Sequence, residues 1–200
     1  MSRHPNSLRR LIELLTEDAF NTTHAEVEGL GLFVYQDKSS LRLTLFRPEV
    51  LVSVNNTLNP VVGTIRLIDE LSCKAWMMVN AAAEKGYGPL LFDLAMSHVH
   101  PRFVVADNVS VSPSALRVMS YMFLQRRNDF DIQKIKGATC LPRNKEEAVQ
   151  YRYRIKSPLD PSRLLAAAQK AYDTLGLSQP ELETKLRNWS SQFYQHKMGY

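Results

Sequence analysis

The sequence predicts a mixed α/β protein, an α+β mixed sheet with helices packed against it and a C-terminal helical extension. Three observations carry this. Between residues 30 and 79, short apolar or alternating runs are separated by polar turns, the pattern of an antiparallel meander. After residue 80 the pattern becomes strand, Gly-x-Gly turn, helix, strand and helix, a βαβα unit whose two strands lie parallel or splay apart in one sheet. From residue 157 onward only helical periodicity remains.

In chain order, residues 7–20 place Leu8, Leu11, Ile12, Leu15 and Ala19 on one stripe, which predicts an amphipathic first helix. Residues 30–36 and 41–47 read as strands joined by the turn 37–40, a hairpin. Residues 55–60 form a polar loop; 61–68 and 73–79 are strands connected by 69–72. Pro89 suits a first helical turn, where its missing N–H has no helical partner. The helix over 90–99 buries Leu90, Leu91, Leu94, Ala95 and Val99 and turns Asp93 and Ser97 to the opposite side. A strand over 102–106 follows. Ser112 is then a good N-cap and Pro113 a first-turn residue for a helix running through Ala115, Val118, Met119 and Met122. Strands are predicted near 130–136 and 148–156. Asp160 and Pro161 open a helix ending at Leu175, before Gly176. Ser178 and Glu181 match a capping box, with Leu177 and Leu182 as its hydrophobic staple. The last helix carries Leu182, Leu186, Trp189 and Phe193 at helical spacing.

The 200-residue length and 44% hydrophobic content fit one domain with its own core. A chain of this size buries roughly 70% of its unfolded surface and needs no metal or disulfide staple. It divides into a body over 1–156 and a helical pair over 157–200. No run approaches the ~20 apolar residues of a membrane span, and residues 1–6 lead into a charged helical pattern without a signal-peptide core. Cys73 and Cys140 belong to no CxxC motif and read as reduced thiols in a reducing, cytoplasmic compartment. The five histidines are too scattered for a zinc site.

The net charge of +5 is concentrated. Residues 1–125 carry −1, residues 126–156 carry +5 and residues 157–200 carry +1. Two readings of the basic stretch stand. One is an anionic partner, such as nucleic acid. The other is a hairpin with Lys and Arg on its outward faces, which the strict alternation over 151–156 supports.

The segment 76–121 is the most informative for chemistry. A strand ends, Gly86-Tyr87-Gly88 turns the chain, and a helix begins. Glycines allow close backbone approach, and a helix N-terminus presents amides and a positive dipole end to an anion. The turn reads either as a pyrophosphate cradle or as a simple helix entry. A P-loop is excluded, because no Lys-Ser/Thr follows the glycines, and a third Rossmann glycine is missing.

Across residues 8–156 this arrangement resembles the GNAT superfamily of acetyl-CoA-dependent N-acetyltransferases. In that family the turn reads Gln/Arg-x-x-Gly-x-Gly/Ala; Gly86 and Gly88 match, and Ala83 stands where Gln or Arg is expected. The wording over 81–96 and 110–123 looks most like GNAT-like proteins of tailed bacteriophages, often virion or internal-core proteins. The resemblance implies a GNAT-like acyltransferase fold and acetyl-CoA as cofactor. The backbone of Met78, Val79 and Asn80 would meet the pantetheine arm, with one of those amides polarising the thioester carbonyl. The amides from Glu84 through Lys85, Gly86, Tyr87, Gly88 and Pro89 to Leu90 mark the pyrophosphate turn, with Lys85 either adding charge or simply solvated. Ser112 occupies a position that is commonly Asn in the family, and the chain near Ser110, Ser112 and Ser114 would approach the pantetheine from the other side.

The implied reaction is attack of an acceptor amine, on a protein or small molecule, on the thioester. It needs a base for the amine and an acid for the leaving thiolate. The family's tyrosine acid lies seven residues beyond the Asn position, which is Met119 here; Tyr121 is the nearest candidate acid. The central strand over 76–79 has no carboxylate, so Asp69, Glu70 or Asp107 would act through water, and Asp107 is the best placed of these unless it caps the following helix. The three departures leave a second reading, a catalytically inactive GNAT-fold interaction or virion protein. The Leu182, Leu186, Trp189 and Phe193 stripe would then serve as a dimer or partner surface, unless it is buried on the chain's own sheet.

Overall fold

The structure, a computed structural model, describes residues 29–52, 58–137 and 140–198. The helix expected over 7–20 and residues 55–57 of the polar loop at 55–60 lie outside the described residues. Seven strands form one sheet: β1 (Gly31–Gln36), β2 (Ser40–Phe46), β3 (Val61–Glu70), β4 (Ala75–Ala83), β5 (Phe103–Ala106), β6 (Phe130–Lys134) and β7 (Tyr151–Ile155). Their order is β1-β2-β3-β4-β5-β7-β6. All neighbours are antiparallel except β4 and β5, which run parallel from Ala75↔Phe103 to Met78↔Ala106. The helices are α1 (Pro48–Val52), α2 (Gly88–Val99), α3 (Pro113–Leu124), α4 (Ser162–Leu175) and α5 (Gln179–Met198). The expected mixed α/β sheet with C-terminal helices is therefore the fold observed. No helix of the described residues is long and apolar enough to cross a membrane.

Alternation along the strands assigns each face. Leu41, Leu43 and Leu45 of β2, Ile65 and Leu67 of β3 and Trp76 and Met78 of β4 point into the largest core, under α2 and α3. Phe33 of β1 and Phe46 of β2 point to the other face, where Ala168 and Ala171 of α4 and Leu182 and Leu186 of α5 cover them. Phe193 of α5 continues this cover over Val61 and Ala82. Of the two readings of the Leu182–Phe193 stripe, burial on the chain's own sheet is the one observed, and the stripe is not a free partner or dimer surface. The staple and the Ser178–Glu181 pair are as expected: Leu177 packs with Leu182, the Ser178 hydroxyl and amide both donate to Glu181, and Gly176 closes α4 with φ 61°; α4 itself starts after Pro161 without a side-chain cap, and Asp160 accepts from the Ser162 amide instead.

Beside α5, the same face is covered by the segment after β6. Ile135, Cys140 and Leu141 pack on Cys73, Ala75, Met77 and Val105. Cys73 and Cys140 meet there with Cα atoms 5.5 Å apart and are joined as a disulfide. The expectation of two reduced thiols is corrected. The partners lie 67 residues apart, and only the return of the chain over β4 and β5 brings them together.

A second correction concerns charge. Asp93, expected opposite the buried face of its helix, has no exposed surface and receives both guanidinium nitrogens of Arg126, at 3.2 and 2.7 Å. Burial alone would lower the Arg126 pKa; Asp93 and Asp129 outweigh it and hold it above the ordinary arginine value. Arg126 is therefore an internal clamp between α2 and the end of α3. The rest of the basic stretch is largely a solvated hairpin: Tyr153 and Ile155 face the core, Arg154 pairs with Asp131, and Arg152 and Arg154 stack on Phe103.

Candidate functional site

The site is built by a break in β4. The β3–β4 register passes from Arg66↔Asn80 to Leu67↔Met78, leaving Val79 as an extra residue on β4. Such a bulge bends its strand and reverses which side chains face each way. Before it, Trp76 and Met78 face the main core; after it, Ala81 and Ala83 do, and Ala82 faces α5. The parallel ladder to β5 ends at Met78↔Ala106, immediately before the bulge. The two strands then part, and β4 runs on to Ala83, past the expected end at residue 79.

Two openings lie along this split. The narrower groove, about 50 Å³, is lined on the β4 side by Met78, Val79, Asn80 and Ala81. Ala106, Asp107, Ser110, Ser112 and Met119 line it from the other side, and Tyr194 of α5 reaches it from above. It leads through Ala81 and Ala115 into a cleft of about 520 Å³ lined by Glu84, Lys85, Gly86, Gly88, Arg117 and Lys197, among others.

The turn at the cleft explains both glycines. Gly86 has φ 96°, the left-handed region that only glycine enters freely. A Cβ on Gly88 would stand 2.9 Å from Cγ2 of Val118, so Gly88 lets α2 and α3 approach. The Glu84 amide donates to the Val62 carbonyl, the Tyr87 amide to Glu84 and the Leu91 amide to Tyr87. Those of Lys85, Gly86, Gly88 and Leu90 have no backbone acceptor among the described residues. They stand at the start of α2, where the helix dipole adds to their pull on an anion. Glu84 does not cancel this, because Arg47 holds its carboxylate at 2.7 Å. That hydrogen bond is the main cause of the raised pKa of Arg47. Lys85, Arg117 and Lys197 add three cationic side chains to the wall.

Of the expected site residues, Met78, Val79, Asn80, Asp107 and Ser112 line the groove, and Glu84, Lys85, Gly86 and Gly88 line the cleft. Tyr87 and Pro89 turn into the protein instead and are buried. The Ser112 hydroxyl accepts from the Ala115 amide as the N-cap of α3. Asp107 accepts from the Val109 amide at 2.8 Å, so it closes the turn before α3 and leaves the cap to Ser112. Met119, seven residues beyond Ser112, lines the groove. Tyr121 is turned about 200° from Met119 on the helix and lines neither opening. Tyr194 is the tyrosine that reaches the groove. Sequence reasoning passed over Tyr194, Lys197 and Arg117. Tyr194 sits one residue after Phe193 of the apolar stripe, and that neighbour was the only signal available for it.

No protein-family model matches this chain, and no curated protein does.

Proposed function

We propose that this protein binds coenzyme A thioesters and transfers their acetyl group to an amine. The observation that supports this most is the opening of the parallel β4–β5 pair directly onto a helix N-terminus with four amides that have no backbone acceptor among the described residues, and three basic side chains. That donor set fits a pyrophosphate. Acetyl-CoA, when bound, supplies an activated acyl group. The amides of Lys85, Gly86, Gly88 and Leu90 would hold the diphosphate, with Lys85, Arg117 and Lys197 balancing its charge. Beyond the last ladder pair, the backbone of Val79 and Asn80 would orient the thioester. Asp107 is the carboxylate on the groove wall, suited to take the amine proton directly or through one water. Tyr194, in place of Tyr121, would return a proton to the departing thiolate.

A calorimetric titration of CoA and acetyl-CoA tests the reading. Binding to the wild type is expected, weakened about tenfold or more by Arg117→Glu, which loses a charge-assisted contact and adds a like charge. Gly88 is a poor choice of variant here, because its substitution disturbs the α2–α3 contact whether or not a cofactor binds. No binding at millimolar cofactor would overturn the proposal. Binding without thiol release for any amine would favour the second reading, a GNAT-fold interaction protein. That reading draws support from the single groove carboxylate being engaged with the Val109 amide.

A further inference from the structure

On the sheet face beneath α5, Arg42 of β2 and Arg66 of β3 are direct cross-strand partners. Like charges in that position repel and lower stability. Among the described residues no acid offsets them: the side chains around their pocket are Thr64, Asn80, Ser190, Tyr194 and other uncharged groups, with no carboxylate. Arg66 donates to the Ser40 hydroxyl at 3.3 Å, while Arg42 has no hydrogen bond or ion pair among the described residues. Burial pulls the Arg42 pKa below its ordinary value, and Arg66 and then Arg187 push it further the same way. Arg187 itself is matched by Glu183. Two half-buried guanidinium groups thus face a polar pocket of about 200 Å³ with no counter-charge among the described residues.

Such an arrangement costs folding free energy unless an anion completes it. We propose that this pocket is a binding site for a small carboxylate or phosphate anion, held by the guanidinium groups of Arg42 and Arg66. The forked donors of arginine suit both classes equally. Asn80 and Tyr194 line this pocket and also the β4–β5 groove, so the two openings share a wall. If the acetyl-transfer reading above holds, on which this clause rests, the anion is the charged handle of the acceptor, and the acceptor is an acidic amine.

Calorimetric titrations of inorganic phosphate and of succinate into the full chain, at low ionic strength and neutral pH, test the site and separate the two sources. One of the two is expected to bind the wild type with a single site. Arg42→Gln and Arg66→Gln should each weaken it about tenfold, as expected for loss of a charged hydrogen bond, and Arg163→Gln, on the exposed side of α4, should leave it unchanged. In anion-free buffer both arginine variants should melt no lower than wild type, because each removes the repulsion; this separates loss of binding from loss of fold. Absence of binding by either anion overturns the proposal. So does binding that Arg117→Gln weakens and Arg42→Gln does not, which would put the anion at the start of α2. Anion binding that depends on Arg42 and Arg66 in a protein that fails to bind coenzyme A would uphold the site and remove only its acceptor role.

Discussion

Asp93 and Arg126 show how much one residue's setting decides. Each ion is expensive to bury, and only the forked geometry between them makes the burial tolerable. Removing one partner should therefore cost more than removing both. Asp93→Asn is expected to lower unfolding free energy by about 3–5 kcal/mol, read as a shift in urea midpoint. The apolar double variant Asp93→Leu/Arg126→Met should recover most of that loss. If the single variant melts like wild type, the pair is not the clamp described here. In the sequence both residues looked solvated: Asp93 fell opposite an apolar stripe, and Arg126 opened the most basic stretch of the chain. Helical periodicity assigns a face, but a face can be buried by a second element. The helix α3 ends where Arg126 folds back onto α2.

Among the elements, the β4 bulge and the α2 entry set the geometry of the candidate site. Gly88 carries a prediction of its own. Adding a methyl there pushes on Val118 at 2.9 Å, so Gly88→Ala should destabilise by about 1–3 kcal/mol, the usual cost of overpacking. Val118→Ala in the same chain should restore part of it, measured by thermal unfolding. Additive losses would show that the two side chains do not meet. The strands, the turn, the Ser112 cap and the Ser178–Glu181 box were all legible, because they rest on local chemistry: alternation, missing donors and short-range hydrogen bonds. The bulge at Val79 was not. The run Trp76–Val79 is wholly apolar and leads into three alanines at 81–83, so no alternation marks where the phase reverses. The βαβα pattern allowed β4 and β5 to lie parallel or splay apart, but the point where they part is set by the bulge.

At the scale of the whole molecule, long-range closures hold the layers together. The disulfide ties the turn before β4 to the segment after β6 across one face. Cys73→Ser is expected to lower stability by about 2–4 kcal/mol under oxidising conditions, and a reductant should bring the wild type to the same melting temperature as the variant. An unchanged wild-type melting temperature on reduction would show that the cross-link contributes nothing. The helices α4 and α5 close the other part of that face, and α5 carries Tyr194 and Lys197 to the groove and the cleft. By itself, the sequence determined the class of the fold, the order of its seven strands and of the four helices after residue 80, and the turn that faces the cleft, since each follows from the periodicity and backbone preferences of neighbouring residues; the short α1 had no such signal. The tertiary structure alone decided that the apolar stripe of α5 lies on the chain's own sheet, that Cys73 meets Cys140, that Arg126 is internal, and that Arg42 and Arg66 share a pocket with no acid among the described residues. These depend on which distant surfaces pack together, and local pattern carries no information about a partner many residues away.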